Sequence, residues 1–181
     1  MRTTLKFLIL VMLTASFTSC NMIQGWFTEE IKTTLEGQLN LVSDETELKS
    51  TEDYSIGGTA TIDIADNDKL EPYMDLINAI KAKSVSLRVV SIDSSDVVIR
   101  DGAEFSISTP TNSGMTWPIS PDWPVEVGTT INLTADNYNV LNDMLEGNEP
   151  VTLSSTGTCN KGNVHILLTY EIEVVVEADP L

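Results

Sequence analysis

Acyl transfer by a side-chain nucleophile needs the nucleophile, a base, and a group that orients the base. His165 is the single histidine among 181 residues, so every histidine-dependent scheme passes through it. Cys159 stands a short way upstream and invites a Cys–His dyad. The run Thr156-Gly157-Thr158-Cys159-Asn160-Lys161-Gly162-Asn163 reads, however, as a hairpin loop entering the strand that carries His165, which makes the two chance neighbours. No Gly-x-Ser-x-Gly elbow offers a serine instead. Carboxylates are plentiful, with 27 Asp and Glu, but a glycoside hydrolase is defined by two of them held at a fixed separation across a cleft, which spacing along a chain does not set. A solvated acidic surface accounts for them. These residues predict a protein that is not an enzyme; a hydrolase survives only if Cys159, His165 and a carboxylate converge in a concave site.

Oxygen-rich loops suit Ca²⁺. Asp63, Asp66 and Asp68 cluster at a strand end, and Asp93 and Asp96 bracket a turn. The first cluster lacks the glycine and closing glutamate of an EF-hand loop, and Asp93-Ser94-Ser95-Asp96-Val97 lacks the last serine of an Asp-x-Ser-x-Ser site. A helix cap and a β-turn explain these residues. No cofactor is expected, and Ca²⁺ at Asp63, Asp66 and Asp68 is the one metal reading left open. One histidine and two cysteines do not make a transition-metal site. Gly57-Gly58, without a following lysine or helix start, does not cradle phosphate.

Recognition is best served by Thr116-Trp117-Pro118-Ile119-Ser120-Pro121-Asp122-Trp123-Pro124. Its prolines stiffen the backbone, and Trp117 and Trp123 offer broad faces to a glycan or a protein edge at small entropic cost. The simpler alternative is that the two rings fold back over the end of the core.

The elements that must position these groups are mostly strands. Apolar residues alternate at Leu35, Leu39 and Leu41, at Ala60, Ile62 and Ile64, and at Val85, Leu87 and Val89. Val97 and Ile99, then Ala103, Phe105 and Ile107, flank Asp101-Gly102, a dipeptide suited to a tight hairpin turn. From Val164 to Glu177 one face is uniformly apolar and the other largely polar, so a one-residue slip would bury three glutamates. That strand is long enough to bend or to serve two partners. Two segments have helical spacing: Leu70, Tyr73, Met74, Ile77 and Ile80 after Asp66-Asn67-Asp68, and Tyr138, Leu141, Met144 and Leu145 after Asp136, with Gly147 as a stop. Gly58 to Ile64 with the first helix parallels Gly128 to Leu133 with the second, which suggests two strand–helix–strand halves related by a pseudo-twofold, with the helices as lids on opposite ends. The expected fold is mainly antiparallel β, a two-sheet sandwich with two short amphipathic helices; an open or partly closed barrel is the alternative.

The N-terminus carries the order of an export signal: basic Arg2 and Lys6, an apolar stretch from Phe7 to Leu13, then Thr14-Ala15-Ser16. It closes on Phe17-Thr18-Ser19-Cys20, which resembles the lipobox of bacterial lipoproteins in a looser form similar to that of the Bacteroidota. The resemblance implies that residues 1–19 are removed, that Cys20 is acylated as the new N-terminus, and that the protein is held in the cell envelope at the outer membrane. Multiple acyl chains, each worth ~0.8 kcal/mol per buried CH₂, anchor persistently where one does not. Residues 20–34 are then a lipidated start and short tether, whose Trp26 and Phe27 suit the lipid interface or the domain surface, and 35–181 a single domain.

Removing Arg2 and Lys6 with the signal leaves eight basic residues against 27 acidic ones, a formal charge near −19. Such a field repels phosphate backbones and anionic bilayers, so neither nucleic acid nor an anionic lipid surface is an expected partner. Acylation of Cys20 also takes away the only possible disulfide partner of Cys159. The expected function is a non-catalytic binding or structural β domain tethered to a bilayer, its partner an envelope protein or a glycan. The alternative is a carrier of an apolar ligand, which requires an elongated cavity beneath the two helices.

Overall fold

The computed structural model describes residues 28–47, 53–147 and 149–180. The expected signal segment, Cys20, Trp26 and Phe27 lie outside them. The strands in chain order are β1 (Glu29–Glu47), β2 (Tyr54–Ile62), β3 (Ile77–Ile92), β4 (Val98–Ile99), β5 (Ala103–Ser108), β6 (Met115–Ile119), β7 (Trp123–Pro124), β8 (Thr130–Asn132), β9 (Val151–Cys159) and β10 (His165–Ala178). Two 3-10 turns, Ile64–Asp66 and Glu71–Leu76, follow β2, and one α-helix, α1 (Asn139–Glu146), precedes β9. The fold is mainly β and antiparallel, as the alternation predicts, and its helical residues fall in the two connections expected to hold them, the paired 3-10 turns after β2 and α1 before β9.

The strands form one curled sheet in the order β6-β5-β9-β2-β1-β10-β3-β8. Its apolar face closes on a single core that runs from Leu35 through Phe105 and Leu141 to Val176. The long final strand serves two partners, pairing with β1 from Glu29↔Ala178 to Val42↔His165 and with β3 from Ile166↔Ile92 to Ala178↔Ile77. Its inward residues from Ile166 to Val176 are buried, while His165 and Glu173 are exposed. Bulges in β3 leave Asn78, Lys83 and Val90 without a partner on β10. Each bulge adds local twist, which is how strands this long coil rather than lie flat.

Four expectations are corrected. Ile77 and Ile80 belong to β3 and not to a helix; the bulge at Asn78 inserts one residue into the alternation, so a strand acquires the i, i+3 spacing of a helix. Asp101-Gly102 is a turn, with Gly102 at φ +86°, but not a hairpin. Its flanking strands β4 and β5 do not pair with each other; both run along β9, at Ile99↔Cys159 and Glu104↔Thr156. β9 and β10 are not a hairpin either, since β2 and β1 lie between them. Lastly, β1 begins at Glu29, so residues 29–34 are strand and not tether. Between Cys20 and Glu29 the chain can then reach at most about 30 Å.

The two strand–helix–strand segments do pair reciprocally, β2 with β9 and β3 with β8. Their helical parts are not lids on opposite ends, because Met74 and Leu145 line one shared cleft.

Candidate functional site

The two ends of the sheet, β6 and β8, come face to face across an open seam. Between them lies a cleft of about 520 Å³, lined among others by Pro118, Ser120, Asp122, Trp123, Asn132 and Thr134. Among the described residues no ladder joins the two strands. Proline suits an edge strand because it has no N–H for a further ladder, and Pro118 in β6 and Pro124 in β7 stand at such edges.

Trp117 and Trp123 border this cleft but are not stacking platforms. Alternation in β6 turns Trp117 and Ile119 inward, leaving Trp117 6% and Trp123 9% exposed. Trp123 meets Phe105 edge to face at 6.4 Å between ring centroids, a favoured aromatic geometry. The rings cover the core, and the cleft presents Ser120, Asp122, Asn132 and Thr134 instead, all exposed.

One side of the cleft is fixed by Arg100, a residue that no motif singles out. Its Nε donates to Asp53 Oδ1 at 2.9 Å and its Nη1 to Asp122 Oδ2 at 3.0 Å. Asp122 Oδ1 accepts from the Asp101 backbone N–H at 2.8 Å. Arg100 thus ties the start of β2 to the Trp-Pro loop from the turn between β4 and β5. The Asp101 N–H first, and Arg100 second, hold the Asp122 carboxyl below its usual range. A carboxylate whose folded pKa is depressed contributes stability above its unfolded pKa and loses it as pH falls through the folded one. Amide protection factors across residues 100–124 should therefore fall as pH drops below the ordinary value of 3.8. In Asp122→Asn, which keeps an acceptor for Asp101 but loses the charge, that acid response should flatten. An unchanged response in the variant would place its origin elsewhere.

The other candidates are dispersed. Cys159 is buried and donates to Lys161 O at 3.1 Å, whereas His165 is exposed. Strands β2 and β1 lie between β9, which Cys159 ends, and β10, which His165 opens, and the thiol faces the core while the imidazole faces outward. They form no dyad. Asp63 caps the first 3-10 turn, its Oδ1 accepting from Ala65 N at 2.9 Å. Asp93 Oδ1 accepts from His165 N at 2.9 Å. Among the described residues no group of three or more His, Cys, Asp or Glu is arranged to hold a metal.

A smaller cleft of about 320 Å³ lies between the helical segments, lined by Ile64, Met74, Ile77, Ile80 and Leu145 with Asn78 and Glu146 at its polar side.

No family model matches the chain, and no curated protein does. Solved structures similar to it are viral coat proteins. Desmodium yellow mottle tymovirus is 14% identical, with 84% of this chain and 90% of that one covered at a TM-score of 0.37. The decameric BFDV capsid protein is 9% identical, with 82% and 99% covered at 0.39. Turnip yellow mosaic virus is 8% identical, with 86% and 97% covered at 0.36. Likeness at this level carries neither a family nor a function.

Proposed function

We propose that this chain is an exported lipoprotein, acylated at Cys20 and held at the outer membrane, whose β domain binds a partner without catalysis at the seam between β6 and β8. The observation that carries the binding site is the cleft lined by both edge strands and braced by Arg100. Its exposed groups are hydroxyl, amide and carboxylate, with Pro118 beside them. That mixture suits hydrogen bonding to a glycan or to the polar rim of a protein edge. The lipobox-like Phe17-Thr18-Ser19-Cys20 supports the anchoring, and the separation of Cys159 from His165 supports the non-catalytic reading.

Ser120→Trp fills the cleft from an exposed position. Pull-down of the lipidated protein from its own envelope should recover a partner with the native chain and at least about tenfold less with the variant, a loss of ~1.4 kcal/mol in affinity. Thermal unfolding should be unchanged. Equal recovery by the two proteins would remove the seam from the function. Cys20→Ser should release the protein from the membrane fraction; its retention there would remove the anchor.

The cleft between the helical segments favours a second reading, a carrier of an apolar ligand beside the membrane. Its size lies at the lower end for small-molecule sites, and five of its lining residues are apolar. A defined lipid among the molecules co-purified in the same experiment would select this reading over the first.

A further inference from the structure

Basic residues are scarce in this acidic chain, so where each one goes is informative. Lys81 pairs with Glu177, Arg88 with Glu171, and Arg100 with Asp53 and Asp122, while Lys161 Nζ donates to Ser95 O. Besides Lys161, whose partner is a carbonyl, three basic side chains among the described residues enter no ion pair: Lys32, Lys69 and Lys83. All three line one cleft of about 350 Å³, on the opposite side of the sheet order from the seam, beside β1 and β10.

They arrive from separate elements. Lys32 stands on the outward face of β1, opposite Val175. Lys69 comes from the connection between the 3-10 turns, which is docked on β1 by Asn67 Nδ2 donating to Thr34 O at 3.1 Å. Lys83 is the bulged residue of β3, between Ala82↔Val174 and Ser84↔Glu173. A bulge re-aims a side chain, and here it turns an extra ammonium to the outer face. Glu173, the acidic residue of the cleft, is engaged by Ser84 Oγ at 2.8 Å.

We infer that Lys32, Lys69 and Lys83 form a binding cleft for a phosphate monoester group. Three ammonium groups converging from different directions act as point charges with rotatable donors, which fits a compact group with three acceptor oxygens and ≈ −1.5 to −2 charge. A carboxylate is better matched by the planar fork of arginine, and the arginines among the described residues, Arg88 and Arg100, are committed elsewhere. The acidic surroundings repel extended polyanions but leave room for one small anion at this lysine-lined concavity.

The test is calorimetric titration of inorganic phosphate into the full mature chain in a maltoside detergent at low salt. Saturable binding is expected, weakened at least tenfold in Lys69→Met/Lys83→Met and also weakened by added salt. Lys81→Met, which removes a neighbouring ammonium already paired with Glu177, should bind as the native chain does, and thermal unfolding should show all variants folded. Acetate should bind more weakly than phosphate. A second arm presents the same chemistry on phosphatidylcholine vesicles containing phosphatidic acid. Capture lost in the double variant assigns a lipid headgroup as the source, and binding of soluble phosphate alone assigns a free phosphate compound. Absence of saturable binding in both arms, an unaffected double variant, or an equal loss in Lys81→Met would each overturn the site.

Discussion

Gly58→Ala is expected to destabilise the domain by about 3 kcal/mol, lowering the urea midpoint by roughly 1.5 M. A Cβ at this position would lie 1.9 Å from Asn40 O and 2.9 Å from its carbonyl carbon. Both are backbone atoms of β1, the neighbouring strand, so the clash is relieved only by moving strands apart. On the other side of β2, a Cβ on Gly57 would meet Ser155 O of β9 at 2.7 Å. β2 is thus squeezed between two strands at a pair of residues without side chains. The contrast is Gly102→Ala, where φ is +86° but nothing lies within 4 Å; strain alone there should cost about 1 kcal/mol. Similar midpoints for the two variants would show that β2 has more room than this packing allows.

Asn142→Ala combined with Glu146→Ala is expected to cost about 3 kcal/mol and to cause self-association. β8 covers β3 only near Ser86 to Arg88, which leaves the first half of β3 as an edge. Helix α1 covers that edge with two side chains one turn apart. Glu146 Oε1 accepts from Ile80 N and Asn142 Oδ1 from Ala82 N, each at 2.8 Å. The alternate N–H groups of a strand are met by an i, i+4 pair of a helix, as a neighbouring strand would meet them. Orphaning each N–H costs ~1–3 kcal/mol, and an uncovered edge is a template for pairing with another chain. Urea unfolding and light scattering check the two effects separately. Glu146→Gln keeps an acceptor oxygen and should be close to neutral; if it destabilises as much as Glu146→Ala, the bond to Ile80 is not the source of the effect.

The long alternating segments were legible because burial on one face imposes period two over many residues, as from Val164 to Val176. Short or bulged strands were not. Ile77 and Ile80 resemble a helix by spacing, yet the extra residue at Asn78 belongs to a strand whose pairing with β10 lies almost a hundred positions away in sequence. Asp101-Gly102 fixes a turn by its backbone preference, but whether that turn makes a hairpin depends on β9, to which both flanking strands pair. In the candidate sites, Trp117 and Trp123 were visible as residues and misleading as platforms, because their direction follows from which face of β6 and β7 meets Phe105. Arg100, Lys69 and Lys83 had no local signal beyond being basic in an acidic chain, which is where a search for them would begin.

By itself the sequence determined the class of the fold, the facing of the long strands, the acidic field, and the expectation of export and acylation at Cys20. Each is a local or summed property: periodicity, charge, or a short contiguous motif. Only the tertiary structure decided that Cys159 and His165 stand apart, that the sheet leaves a seam between β6 and β8, and that three unpaired lysines share one cleft. These depend on strand order and register, which are set by contacts between distant segments and by how bulges coil the sheet. Cys20 remains the residue whose proposed role rests on sequence alone.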